Sequence, residues 1–214
     1  MFRRITSELR RHAPFTTLGA ITGIIIMVII VFGNILPQVS KVSYTIFYIL
    51  HPTHVVLSAL VTTAMYKKYG NGKIWMAVLI GYLGSIGIAT LSDSIIPYLG
   101  ETLLGLENRG IHIGFIEEWQ IVNLAALIGI IIGYLKPTTK LPHSGHVLIS
   151  TWASLFHIIM ALGETVNWVA FLATFLFLFL AVWIPCCMSD IVFPLLFVKK
   201  EVATPEHITY NQHH

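Results

Sequence analysis

The chain has 214 residues, of which 56% are hydrophobic and only 11% charged, with a formal net charge of +3. An ordinary soluble domain carries about 25% charged residues, so this composition excludes a water-facing globular surface and points to a bilayer as the solvent. The small positive charge, gathered beside apolar runs, gives no reason to expect nucleic acid, and the adjacent Cys186 and Cys187 make no disulfide framework.

Apolar runs of membrane-spanning length fall at about 18–36, 44–66, 74–97, 119–135, 145–163 and 166–185. The first follows Arg3, Arg4, Arg10 and Arg11; it is longer than a signal-peptide core and lacks a small-residue cleavage site, so it is expected to be a span. Every second connection is basic: the N-terminal arginines, then Lys67, Lys68 and Lys73, then Lys136 and Lys140, then Lys199 and Lys200. Basic segments stay on the cytoplasmic side, so both termini are predicted cytoplasmic. The connection at 99–118 carries Glu101, Glu107, Arg109, His112, Glu117 and Glu118, and is expected to be an outer loop too charged to span. The expected fold is therefore all-α: a polytopic bundle of six transmembrane helices in the cell membrane.

Two motifs recur. HPTHVVLS at 51–58 aligns without a gap with HSGHVLIS at 143–150, and SDSIIPYL at 92–99 aligns likewise with SDIVFPLL at 189–196. They come in the same order and on corresponding runs. Residues 1–214 are thus expected to form one integral-membrane domain: a first repeat at about 18–98, the outer loop at 99–118, a second repeat at about 119–198, and a polar tail at 199–214. A repeat with three spans enters the membrane from opposite sides in its two copies, which is inverted topology, a recurrent transporter plan.

The repeated residues are costly ones to place in a membrane. Asp93 and Asp190 are the only aspartates in the chain, and a charge at the centre of a membrane helix costs about 2.5–3.5 kcal/mol on insertion scales. His51, His54 and Ser58 are spaced i, i+3 and i+7, which puts them on one helical stripe, as it does His143, His146 and Ser150. His157 extends the second stripe by two turns. Pro97 and Pro194 cannot bond the carbonyls of Asp93 and Asp190, so each aspartate is expected at a broken helix with a freed carbonyl.

Two imidazoles and a carboxylate per half form a plausible ligand set for Zn²⁺, Fe²⁺ or Mn²⁺. The candidate ligands are His51, His54, Asp93 and His157 in one set, and His143, His146 and Asp190, with Cys186 or Cys187 in addition, in the other. Counting residues from the loops puts the first set toward the outer leaflet and the second toward the inner, as two related sites. The leading expectation is a transporter for a divalent metal cation. The alternatives are a metal-dependent membrane enzyme acting on a lipid or other amphiphile, b-haem electron transfer through His54 and His157, and an accessory subunit. Lipids and the metal are the expected partners, with homo-oligomerisation open. No HExxH, GxSxG, phosphate-binding loop, CxxCH or dinucleotide fingerprint is present.

Overall fold

A computed structural model describes residues 2–69, 73–137, 140–162, 168–188 and 192–197. Among these, every regular element is helical and no strand occurs: α1 (Phe2–Phe32), α2 (Leu36–Tyr69), α3 (Ile74–Thr90), a π-helical turn (Leu91–Ile95), α4 (Ile96–Leu103), α5 (Gly114–Glu117), α6 (Trp119–Leu135), α7 (Lys140–Ala161), α8 (Trp168–Cys187) and α9 (Phe193–Leu196). The described residues of the six apolar runs are helical over most of their length. Three continuous helical stretches, Ala13–Phe32, Leu36–Tyr69 and Ile74–Leu103, are long and apolar enough to cross a membrane; Trp119–Leu135, Gly145–Ala161 and Leu172–Cys186 are shorter apolar helices.

Polarity is inverted relative to a water-soluble protein. The outward face of α1 presents Leu18, Ile21, Ile25, Ile29 and Phe32, and that of α6 presents Ile121, Leu124, Leu127, Ile131 and Leu135. The interior instead holds His51, His54, Asp93, Glu101, His146 and His157, all essentially inaccessible. An apolar exterior around buried ionisable groups is the pattern a bilayer selects, because lipid tails solvate leucine and isoleucine while polar groups find partners inside.

The central helix is α2, packed chiefly on α6, α7 and α3, while α1 lies against α7 and α8. Small residues set the closest approaches. A methyl group at Gly129 or Gly133 of α6 would collide with the α2 backbone carbonyls of Val56 or Leu60, so this Gly-xxx-Gly pair lets two backbones touch. On the far side, Gly19 of α1 sits on Thr151 of α7, and Gly23 faces Leu155 and Leu178.

The third apolar run does not stop where its charge suggests. Helix continues through the π turn and α4 to Leu103, then ends in a Schellman motif: Gly105 takes φ 62°, with Gly105 N–H on the Thr102 carbonyl at 3.2 Å and Leu106 N–H on that of Glu101 at 3.0 Å. Glu101, assigned from sequence to the outer loop, is therefore inside the bundle at 1% exposure.

Candidate metal centre

Three elements meet at Asp93. The His51–His54–Ser58 stripe faces inward from α2, the Ser150–Ser154–His157 stripe faces inward from α7, and the π turn carries Asp93 between them. Asp93 Oδ2 lies 3.0 Å from His51 Nδ1 and 2.7 Å from His54 Nδ1, each ring donating to it in its Nδ1–H form. Oδ1 accepts the hydroxyls of Ser92 at 2.7 Å and Ser150 at 2.8 Å. A carboxylate has about four lone-pair sites, and here all four are used. Asp93, expected as a metal ligand, is bonded on both oxygens to neighbouring side chains.

The π turn explains how Pro97 is accommodated. In place of the broken helix expected, the coil widens, and Ile96 N–H reaches the Leu91 carbonyl five residues back. The Ser92 carbonyl accepts the Ser154 hydroxyl at 3.0 Å. Widened turns of this kind recur at functional sites because they re-aim a side chain without ending the helix.

Of the second set only His146 and Cys186 have described side chains, and His146 lies against the first set. His54 of α2 and His146 of α7 have ring centroids 4.6 Å apart, and Ser150 of the second half bonds Asp93 of the first. Counting from the loops treated the helices as upright and equal. At 34 residues α2 is about 51 Å long, against a hydrocarbon core of about 30 Å, so height along it does not convert to depth.

Beside this junction, His54, His146 and Cys186 each offer one donor atom, and the three atoms lie within 4.8 Å of one another, all buried. Cys186 Sγ is also 3.8 Å from the Ser150 hydroxyl. Tetrahedral zinc with bonds of 2.0–2.3 Å holds its ligands about 3.3–3.8 Å apart, so the group would close by roughly 1 Å to grip an ion. His54 has the arrangement a ligand needs: Nδ1 is fixed on a carboxylate, while Nε2 has no hydrogen-bond partner among the described residues. The donor set fits a transition-metal ion. His51 Nε2 is likewise without a partner among the described residues, but it faces Gly114 of α5, where a methyl group would overlap the ring.

His157 is not brought to Asp93. Its Nδ1 is 2.6 Å from Glu101 Oε1, and its Nε2 accepts the His112 backbone N–H at 3.4 Å. Phe47 separates the two clusters, stacked on His51 at 5.4 Å and edge-on to His157 at 5.3 Å. Glu101 was missed, although the sequence carried a signal: Asp93, Pro97 and Glu101 are spaced i, i+4 and i+8 and share a helix face. The side chains of His143 and Cys187, and the whole of Asp190, lie outside the described residues. No family model, curated protein or solved structure matches the chain significantly.

Proposed function

We propose that the chain is a six-span integral membrane protein, built from two inverted three-span repeats with both termini cytoplasmic, that transports a divalent transition-metal cation through a centre formed by His54, His146 and Cys186. One observation carries this reading. The three clustered donor atoms come from both halves: His54 from α2 in the first, His146 and Cys186 from α7 and α8 in the second. A site on the boundary between repeats is what alternating access needs, because rocking one half against the other opens it to either side in turn.

The duplication draws support from the packing. Exchanging the halves turns the α2–α6 contact into α7–α1, α2–α3 into α7–α8, α3–α6 into α8–α1, and α2–α9 into α7–α4, and all of these contacts occur. Met188 and Val192, the counterparts of Leu91 and Ile95 in the aligned motifs, are also π-helical. The glycine pairs follow the same exchange: Gly129 rests on Ala59, and Gly19 on Thr151, the residues that follow the aligned Ser58 and Ser150.

In this reading Asp93 stands behind the ligands. It fixes the His54 tautomer and raises its basicity, which is the usual task of a carboxylate on a metal-bound imidazole. Two imidazoles and a thiolate favour zinc over iron, and iron over manganese, which prefers oxygen donors. The test is zinc uptake into proteoliposomes by the wild type and by His54→Ala and Cys186→Ser. Both variants lose uptake if the reading is right; uptake unchanged in both would refute it.

A second reading, a zinc-dependent membrane enzyme acting on an amphiphilic substrate, has one observation in its favour. Three protein ligands leave a fourth position open, as in catalytic zinc sites. Zinc that stays bound through chelator washing, with no flux into liposomes, would favour the enzyme.

A further inference from the structure

The second buried cluster does something the metal centre does not require. Glu101 and His157 are both fully enclosed, with Oε1 and Nδ1 2.6 Å apart. The other Glu101 oxygen accepts the Gly110 N–H at 3.4 Å, and His157 Nε2 accepts that of His112 at 3.4 Å. Two of the about four lone-pair sites of Glu101 are used by these bonds. The carboxylate can therefore take up a proton while the short bond to His157 holds it in place.

The pair also has a route to water. The His112 ring lies edge-on to His157 at 5.6 Å, its Nδ1 is 3.5 Å from Glu117 Oε2, and Glu117 accepts the Tyr48 hydroxyl. His112 and Glu117 are about one-third exposed, at 30% and 32%. Inward, the Phe47 ring touches both His157 and His51, which is held on Asp93. Among the described residues, no further ion pair joins a charged group to Glu101 or His157. Helix α8, packed on α4, carries no ionisable side chain beyond its cysteines and sets Phe177 on Gly100, while the Arg109 guanidinium turns to the Leu106 carbonyl.

We propose that Glu101 and His157 form a proton-binding site, filled from water through His112 and Glu117, and that the protein exchanges protons held there for the metal cation. This rests on the transport reading above. With neutral His157 the pair carries one negative charge; one more proton, taken on the Glu101 carboxylate, makes it neutral. A cation entering the nearby centre favours the deprotonated pair, and the released proton leaves by the His112 route. Coupling across one aromatic ring changes apparent zinc affinity on the order of tenfold between the two protonation states.

The experiment uses purified full-length protein in liposomes holding a pH-sensitive dye, with membrane voltage clamped and zinc added outside. The lumen is expected to turn alkaline in step with zinc entry. Glu101→Gln and His157→Gln should each cut proton movement at least tenfold while still binding one zinc per chain, with an affinity within about tenfold of wild type. Wild-type proton movement in both variants would overturn the proposal. Should the variants fail to fold, the wild type alone decides. An acid-inside gradient accelerates zinc entry severalfold and an ionophore that collapses it removes the acceleration, whereas a rate indifferent to the gradient overturns the proposal. Zinc entry without protons overturns only this inference; purified wild type that binds no zinc overturns the metal reading and this inference with it.

Discussion

Asp93 and Glu101 stand two turns apart on one helical face, and both are buried carboxylates held by histidine, yet their enclosures differ. Asp93 has every lone pair occupied by side chains from α2, α7 and its own turn. Glu101 has one histidine and one long backbone bond from the 105–113 segment, with partly exposed groups just beyond. The first arrangement fixes two imidazoles rigidly; the second leaves a group that can change its proton when the cover moves. Saturation builds a scaffold, and incomplete saturation near water builds a switch.

The largest effect should come from breaking the saturated side. Asp93→Ala strands two imidazoles and two hydroxyls in the interior, and is expected to cost about 3–5 kcal/mol in thermal unfolding in detergent, the range for removing one partner of a buried charged network. Asp93→Asn keeps the volume but loses the charge, and should weaken metal binding by about 10–100-fold. Glu101→Gln should cost less, about 1.5–3 kcal/mol, because fewer bonds depend on it. A larger loss at Glu101 than at Asp93 would dissolve the contrast between the two.

Two glycines sharpen it further. Gly114→Ala pushes a methyl group into the His51 ring, an overpacking expected to cost about 1–3 kcal/mol and to disturb the Asp93 cluster from outside. Gly105→Ala meets no neighbouring atom, but places a side chain at φ 62°, a strain of about 1–2 kcal/mol. That strain should loosen the cover over Glu101 and leave the Asp93 cluster alone. Hydrogen exchange across residues 105–113, measured in both variants, separates the two outcomes.

Much of this was legible in the chain. Spacing alone put His51, His54 and Ser58 on one buried stripe, and the repeated Ser-Asp-xxx-Pro marked the turn that carries Asp93. What escaped has physical causes. Glu101 was grouped with Glu107, Glu117 and Glu118 because charge density is read over a window, whereas burial is decided residue by residue along a helix face. The junction of His54 with His146 follows from close packing of α2 on α7, and helix crossings are set by packing that residue counting does not see. The same packing puts Phe47 between His51 and His157, which chain distance could not anticipate. Cys186, weighed as one of two adjacent thiols, gained its place only when the fold set it beside both histidines.

Cobalt titration of purified protein, followed by absorption spectroscopy, tests the central claim most directly, because cobalt occupies zinc sites and a thiolate ligand gives a near-ultraviolet charge-transfer band. The account predicts one cobalt per chain with that band, displaced by zinc, lost in Cys186→Ser and kept in Glu101→Gln. A titration without the band, or a band that survives in Cys186→Ser, would contradict it.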